Sequence, residues 1–211
     1  MNGNRLTVPD CVPLRHFIFK MNPPEFNEAS VSMLTEAVMT YLRNIDIGPA
    51  DVLGISPAEI GGDAFYSALD HIESAFNLSK SERKTATIIA CEWAPIHTDQ
   101  SYAGKSLLTL VLHTGRHPYV MQTMHAEAID YGYAGAALSA KTSNVLLQKG
   151  DALIFDPTTP HTAVPRFSAT GQILVLLQFE IDDGDERQRQ QILDRFSIDD
   201  AGIVGMLVFR D

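Results

Sequence analysis

Residues 148–165 read Gln148-Lys149-Gly150-Asp151-Ala152-Leu153-Ile154-Phe155-Asp156-Pro157-Thr158-Thr159-Pro160-His161-Thr162-Ala163-Val164-Pro165. Gly150-Asp151 is a turn pair, because glycine supplies backbone freedom and aspartate bonds its own main chain. Ala152 to Phe155 is then an apolar run of strand length, and the prolines at 157 and 160 bracket a second turn. His161 opens a further strand that Pro165 closes. A strand, a Gly-Asp turn, a buried strand and a histidine at the head of the next strand describe antiparallel β-structure carrying a metal-ligand type of residue.

The partner for that histidine lies 64 residues upstream, at His97-Thr98-Asp99. Residues i and i+2 of an extended chain point to one side, so His97 and Asp99 can reach one ion. The intervening chain holds the three or four strands needed to carry His161 back to them. Two neutral imidazoles and one carboxylate suit Fe(II), and occupy one octahedral face while leaving up to three positions free. The aspartate partly offsets the metal's charge, and the imidazoles bind deprotonated.

Around these segments the chain is strand-rich from residue 85 onward. Thr85 to Trp93, Leu107 to His113, Tyr119 to His125, Asn144 to Gln148 and Gln172 to Ile181 are short β-type runs separated by Gly, Pro, Asp and Ser, with no helices between them. That pattern predicts an antiparallel sandwich or barrel. The first third is helical. Val31, Leu34, Val38, Tyr41, Leu42 and Ile45 mark one face of a helix over about 27–44, and Phe65, Leu69, Ile72 and Phe76 mark another over 63–77. Ser56-Pro57-Ala58-Glu59 has capping-box spacing and starts a short turn of helix that Gly61-Gly62 ends. Arg15 to Lys20 reads as an opening strand, Lys80 to Lys84 as a solvated turn, 184–196 as a terminal helix and 203–209 as a closing strand.

The H-x-D at 97–99, the GDALIFD at 150–156 and the PHTAVP at 160–165 resemble the Fe(II)/2-oxoglutarate-dependent dioxygenase superfamily over about residues 85–181. The resemblance implies an α+β, mainly β fold: a double-stranded β-helix (jelly-roll) barrel buttressed by N-terminal helices. It implies one domain over 1–211, with helical support over about 24–80, the β-helix core over about 85–181 and a closing segment over 184–211. It implies Fe(II) held by His97, Asp99 and His161, with no further catalytic residue. It also implies 2-oxoglutarate as co-substrate, its decarboxylation to succinate, and O2-dependent oxidation of a substrate C–H bond, with the redox chemistry belonging to metal and co-substrate.

The chain departs from the family at one place. Most members carry Arg or Lys about ten residues past the distal histidine, where it pairs with the far carboxylate of 2-oxoglutarate. Here that region is Thr170-Gly171-Gln172-Ile173. Gln172 can hydrogen-bond a carboxylate but not neutralise it, which leaves Arg116 and Arg166 as alternative cations.

Other residues invite weighing. His113, His117 and His125 form a possible second metal cluster, although strand-end histidines usually just hydrogen-bond nearby groups. His71 reads as a surface or packing residue. Trp93 and Tyr102 flank the H-x-D and read as packing or pocket walls, and Glu92 or Asp156 could orient a ligand imidazole. The loops 100–106 and 126–143 are rich in Gly, Ala and Ser and are where a substrate would be selected.

The formal charge of −10 over 211 residues disfavours nucleic acid as a partner. No apolar run is long enough to span a bilayer. Cys11 and Cys91 make no disulfide framework, nothing resembles a signal peptide, and a reducing cytoplasm is the expected compartment, with Cys91 a buried small hydrophobe. The leading expectation is an Fe(II) oxygenase acting with O2 on a small molecule or an amino-acid or peptide side chain. The alternatives are a cupin-like metal enzyme without 2-oxoglutarate and a non-catalytic ligand-binding barrel. A hydrolytic zinc site lacks an obvious general base.

Overall fold

The computed structural model describes residues 19–21, 28–49, 51–99, 105–130, 136–155, 157, 160–166 and 171–182. The expected closing helix and strand, Cys11, Tyr102, Asp156 and the start of the opening strand lie outside these residues, as does the side chain of His125.

The helices are α1 (Glu28–Leu42), α2 (Pro57–Ile60), α3 (Asp63–Ala75) and α4 (Lys80–Arg83). The strands are β1 (Phe19–Met21), β2 (Val52–Ile55), β3 (Thr87–Cys91), β4 (Ala94–His97), β5 (Lys105–His113), β6 (Tyr119–Asp130), β7 (Ala136–Leu147), β8 (Ala152–Phe155), β9 (His161–Pro165) and β10 (Leu174–Asp182). Every strand pair is antiparallel. Six strands form one sheet in the order β1-β8-β5-β10-β3-β2, and four form the other in the order β4-β9-β6-β7. The fold is mainly β: a jelly-roll of two facing sheets that share no strand, rather than one closed barrel.

Alternation explains why the strands of the larger sheet read as unbroken apolar runs. Its outer face, with Ile88, Leu108, Leu110, Ile154, Val175 and Leu177, packs on Val31, Leu34, Phe65, Ile72 and Phe76 of the helices. Its inner face, with Cys91, Leu107, Val111, Leu153, Phe155 and Leu174, packs on Tyr119, Met121, Val145, Leu147 and Ala163 of the smaller sheet. A sheet buried on both sides has no polar face to show. The helices are therefore a buttress, and burial of their apolar stripes holds them there.

One polar contact fixes their register. In the β5–β10 ladder Val175 pairs with His113 and Leu176 with Val111, so Leu112 is passed over. The Thr35 hydroxyl lies 2.8 Å from the Leu112 carbonyl and 2.7 Å from that of Val31, tying α1 to the interrupted strand. Helix α2 begins at its expected capping box, and α4 begins at one not identified from the sequence. Ser56 and Glu59 close a capping box on α2, and Ser79 and Glu82 close a second on α4. The segment read as a solvated turn is thus one turn of helix with Glu82 buried.

The span 126–143 is corrected most. It is not a long substrate loop: β6 and β7 pair residue for residue from Tyr119↔Leu147 to Asp130↔Ala136. Alanine and serine have low strand propensity, but ladder pairing overrides it. The edge strand β2 went unread because four residues broken by Gly54 make no periodic signal.

Candidate metal centre

β4 and β9 neighbour each other in the smaller sheet, with His97 and His161 as directly opposed partners in their register. The 64-residue separation thus closes to one cross-strand pair. The rings lie 4.3 Å apart between centroids at 51°. Asp99, two residues beyond β4, is held by its N–H donating to the Pro157 carbonyl at 2.8 Å, which ties it to the segment leading into β9. Thr162 strengthens the same seam, its hydroxyl donating to the Ala94 carbonyl.

The Asp99 carboxylate sits between the two imidazoles. Its Oδ1 is 3.5 Å from His97 Nε2 and its Oδ2 is 3.6 Å from His161 Nε2. Those gaps are too long for hydrogen bonds. Metal–ligand bonds of roughly 2.1 Å place two ligand atoms about 3.0 Å apart at 90° and about 3.4 Å apart at the tetrahedral angle, close to the separations found. All three ligand atoms lie within 4.8 Å of one another, and among the described residues no other group of three His, Cys, Asp or Glu meets that condition.

The orientation of His97 also fits. Its Nδ1 is 2.7 Å from the Pro95 carbonyl. A carbonyl only accepts, so Nδ1 carries the proton and Nε2 presents its lone pair toward Asp99. The His161 side chain is 8% exposed and meets the Phe155 ring edge-on at 5.1 Å, which limits its rotation. The His97 and Asp99 side chains are 35% and 24% exposed, so the cluster is open on one side and walled on the other. The donor set and its placement fit a divalent cation of the iron type.

Behind the cluster is a cavity of about 160 Å³ between the two sheets. Its walls are mostly aliphatic. Besides the three candidate ligands, the polar groups lining it among the described residues are Thr109 and Gln178, whose Nε2 donates to the Thr109 hydroxyl at 3.3 Å, and the Cys91 thiol. Burial pushes the Cys91 thiol up to about 11, so it is a neutral wall group and not a thiolate. Thr109 and Gln178 were not singled out from sequence. The available signal was the first polar residue, Gln178, after the apolar run Leu174 to Leu177 of β10.

The three residues expected to bind a co-substrate stand elsewhere. Arg116 is exposed on the β5–β6 turn, and Arg166 is exposed at the end of β9, its N–H donating to the Pro118 carbonyl at 3.0 Å. Gln172 is buried, and its Nε2 donates to the His117 carbonyl at 2.6 Å. It packs against Gly115, where an added Cβ would come 2.4 Å from Gln172 Cγ and where φ is +66°. That glycine is required both by the turn and by the close approach. None of the three residues lines the cavity.

The remaining candidates have structural roles. Glu92 Oε1 accepts from the Gly171 N–H at 3.0 Å, joining two turns instead of steadying an imidazole. The buried Tyr119 hydroxyl lies 2.7 Å from the Glu92 carbonyl and 2.6 Å from the Gln172 carbonyl, pinning the β3–β4 turn to the start of β10. Burial raises the Tyr119 pKa, with Cys91 and Glu92 adding to the effect, so the hydroxyl stays a donor. Trp93 is 37% exposed and outside the cavity. His71 is exposed, as expected for a surface residue. His113 is held below the usual imidazole range by burial and then by Lys149, and His117 is exposed.

No family model matches the sequence, and no curated protein matches it. Solved structures do. The non-heme α-ketoglutarate-dependent epimerase SnoN from nogalamycin biosynthesis aligns at 15% identity with a TM-score of 0.50, covering 80% of this chain and 78% of that one. SnoN in complex with Fe3+, α-ketoglutarate and nogalamycin RO aligns at 16% identity and a TM-score of 0.50, covering 80% of each chain. The non-heme α-ketoglutarate-dependent carbocyclase SnoK aligns at 12% identity and a TM-score of 0.48, covering 80% and 81%. No helix among the described residues is long and apolar enough to cross a membrane. The chain shares the fold of SnoN, and at such identities the likeness extends to the fold alone.

Proposed function

We propose that this protein is a non-haem Fe(II)-dependent oxygenase that uses a 2-oxo acid to activate O2 and oxidises a C–H bond of a small organic molecule or an amino-acid side chain. The observation that carries the reading is the convergence of His97 Nε2, His161 Nε2 and both Asp99 oxygens at the mouth of a cavity with aliphatic walls. SnoN, an α-ketoglutarate-dependent epimerase seen in complex with Fe3+ and α-ketoglutarate, supports it as a protein similar in fold. We read the chain as one domain in which the helices support the larger sheet.

Three protein ligands on one face leave positions for a bidentate chelator and O2. His97, Asp99 and His161 would hold Fe(II), which would supply O2 activation coupled to loss of CO2 from the 2-oxo acid, with one oxygen atom ending in the shortened carboxylate and the other in the substrate C–H bond. The chain's own residues do the rest. Pro95 and Phe155 orient the imidazoles, Pro157 holds Asp99, and the aliphatic wall keeps water from the reacting centre.

The test is anaerobic reconstitution with Fe(II), followed by O2 uptake and stoichiometric release of CO2 and the shortened acid (succinate when 2-oxoglutarate is supplied). Both are expected to vanish in His161→Ala. Failure to bind any divalent metal defeats the proposal. A second reading, a cupin-like metal enzyme that needs no 2-oxoglutarate, is favoured by one observation: no Lys or Arg lines the cavity among the described residues. Metal-dependent O2 uptake without decarboxylation would select it.

A further inference from the structure

The inner wall behind the candidate ligands says what kind of chelator can be seated. Ile89, Leu174 and Leu176 line it from the larger sheet, and Met121 and Leu147 from the smaller. Leu153 and Leu174 are 1% and 0% exposed, whereas Ile89, Leu176 and Gln178 are half-buried, so the wall is mostly hydrocarbon and only part of it is closed to solvent. The polar pair there, Gln178 and Thr109, is neutral and bonded together. At the position where the resemblance expects a cation, the Gln172 amide is spent on the His117 carbonyl. At the rim Val52, 49% exposed and the register partner of Cys91, continues the apolar surface outward.

A second carboxylate carried into this volume would lose its hydration without meeting a compensating cation among the described residues, which is costly. A hydrocarbon group would exchange water for aliphatic contacts. A dry apolar cavity of about 150 Å³ can hold benzene. The volume of about 160 Å³ here also includes the mouth beside His97, Asp99 and His161. It therefore has room for a chelating head and a tail of about four carbons.

We infer that the chelating compound this centre takes is a 2-oxo monocarboxylate with a short apolar tail, in preference to the dicarboxylate 2-oxoglutarate. The inference rests on the metal-centre reading above and sharpens it.

The experiment is calorimetric titration of the Mn(II)-loaded full chain with 4-methyl-2-oxopentanoate, 2-oxoglutarate and oxalate, the last being a chelating head with no tail. Binding of 4-methyl-2-oxopentanoate is expected to be about tenfold or more tighter than that of 2-oxoglutarate. Leu176→Arg, which sets a cation in the wall, is expected to reverse that order. Oxalate binding together with equal or tighter binding of 2-oxoglutarate by the unmodified protein overturns the inference and leaves the metal centre standing. A folded Leu176→Arg variant with an unchanged order overturns the assignment of selectivity to this wall. Absence of Mn(II) and oxalate binding overturns the metal centre and the inference with it.

Discussion

Replacing His97 and His161 singly by alanine separates packing from metal binding, because the two side chains differ in burial. His97 is 35% exposed, and its losses are one hydrogen bond to Pro95 and the ring contact with His161. Its removal is expected to cost about 0.5–1 kcal/mol in metal-free protein. His161 is 8% exposed and packs on both His97 and Phe155, so its removal is expected to cost about 1–3 kcal/mol. Metal adds a separate contribution. A ligand at about 100 times its Kd stabilises the native state by about 2.7 kcal/mol. For a chain of 211 residues that raises Tm by about 5–11 °C. The assay is calorimetric melting of chelator-treated protein with and without Mn(II). The unmodified protein should gain the full rise, and both variants should gain almost none, although their metal-free melting points differ. A variant that keeps the rise would show that the ion sits elsewhere, and would refute the shared site.

Three further outcomes follow from the fold. Tyr119→Phe removes the one O–H that the Glu92 and Gln172 carbonyls share, and should lower the free energy of urea unfolding by about 1–3 kcal/mol. Thr35→Val removes the hydroxyl that meets the passed-over Leu112 carbonyl, and should cost about 1 kcal/mol in the same assay. Glu73 is 4% exposed on α3, and burial pushes its carboxyl up to about 7 from 4.5, against the pull of Arg83 at 3.7 Å. A carboxyl whose folded pKa is raised contributes stability that is fully present below about 4.5 and lost as pH rises through about 7. The unfolding free energy of Glu73→Gln should therefore fall less than that of the unmodified protein between those pH values, with a relative gain on the order of 3 kcal/mol at alkaline pH.

What could be read in the sequence follows from where one face of an element differs from the other. α1 and α3 were legible because each has an apolar stripe against solvent. The turns at Gly61-Gly62 and Gly150-Asp151 were legible because both glycines of the first and Gly150 of the second have positive φ. His97 and Asp99 were legible as a pair because alternation is a local rule. His161 was legible because a histidine at the head of a strand interrupts an apolar context.

The inner face of the larger sheet was not legible, and the reason is the same rule. In β8 and in Leu174 to Leu177 of β10 the residues that face the helices and those that face the cavity are both apolar, so period two leaves no mark there. Leu174 and Leu176 look like Val175 and Leu177, although the first two line the cavity and the others lie in the helix-packed core. Alternation shows only from Gln178 onward, where Gln178, Glu180 and Asp182 alternate with Phe179 and Ile181, and at Thr109 in β5. The cations visible in the sequence by their charge, Arg116 and Arg166, lie instead on exposed ends of the ladder. A binding wall built from hydrocarbon has no charge to announce it. Its character becomes readable only once the register assigns alternate leucines to opposite sides, and that same assignment makes an apolar tail the better tenant.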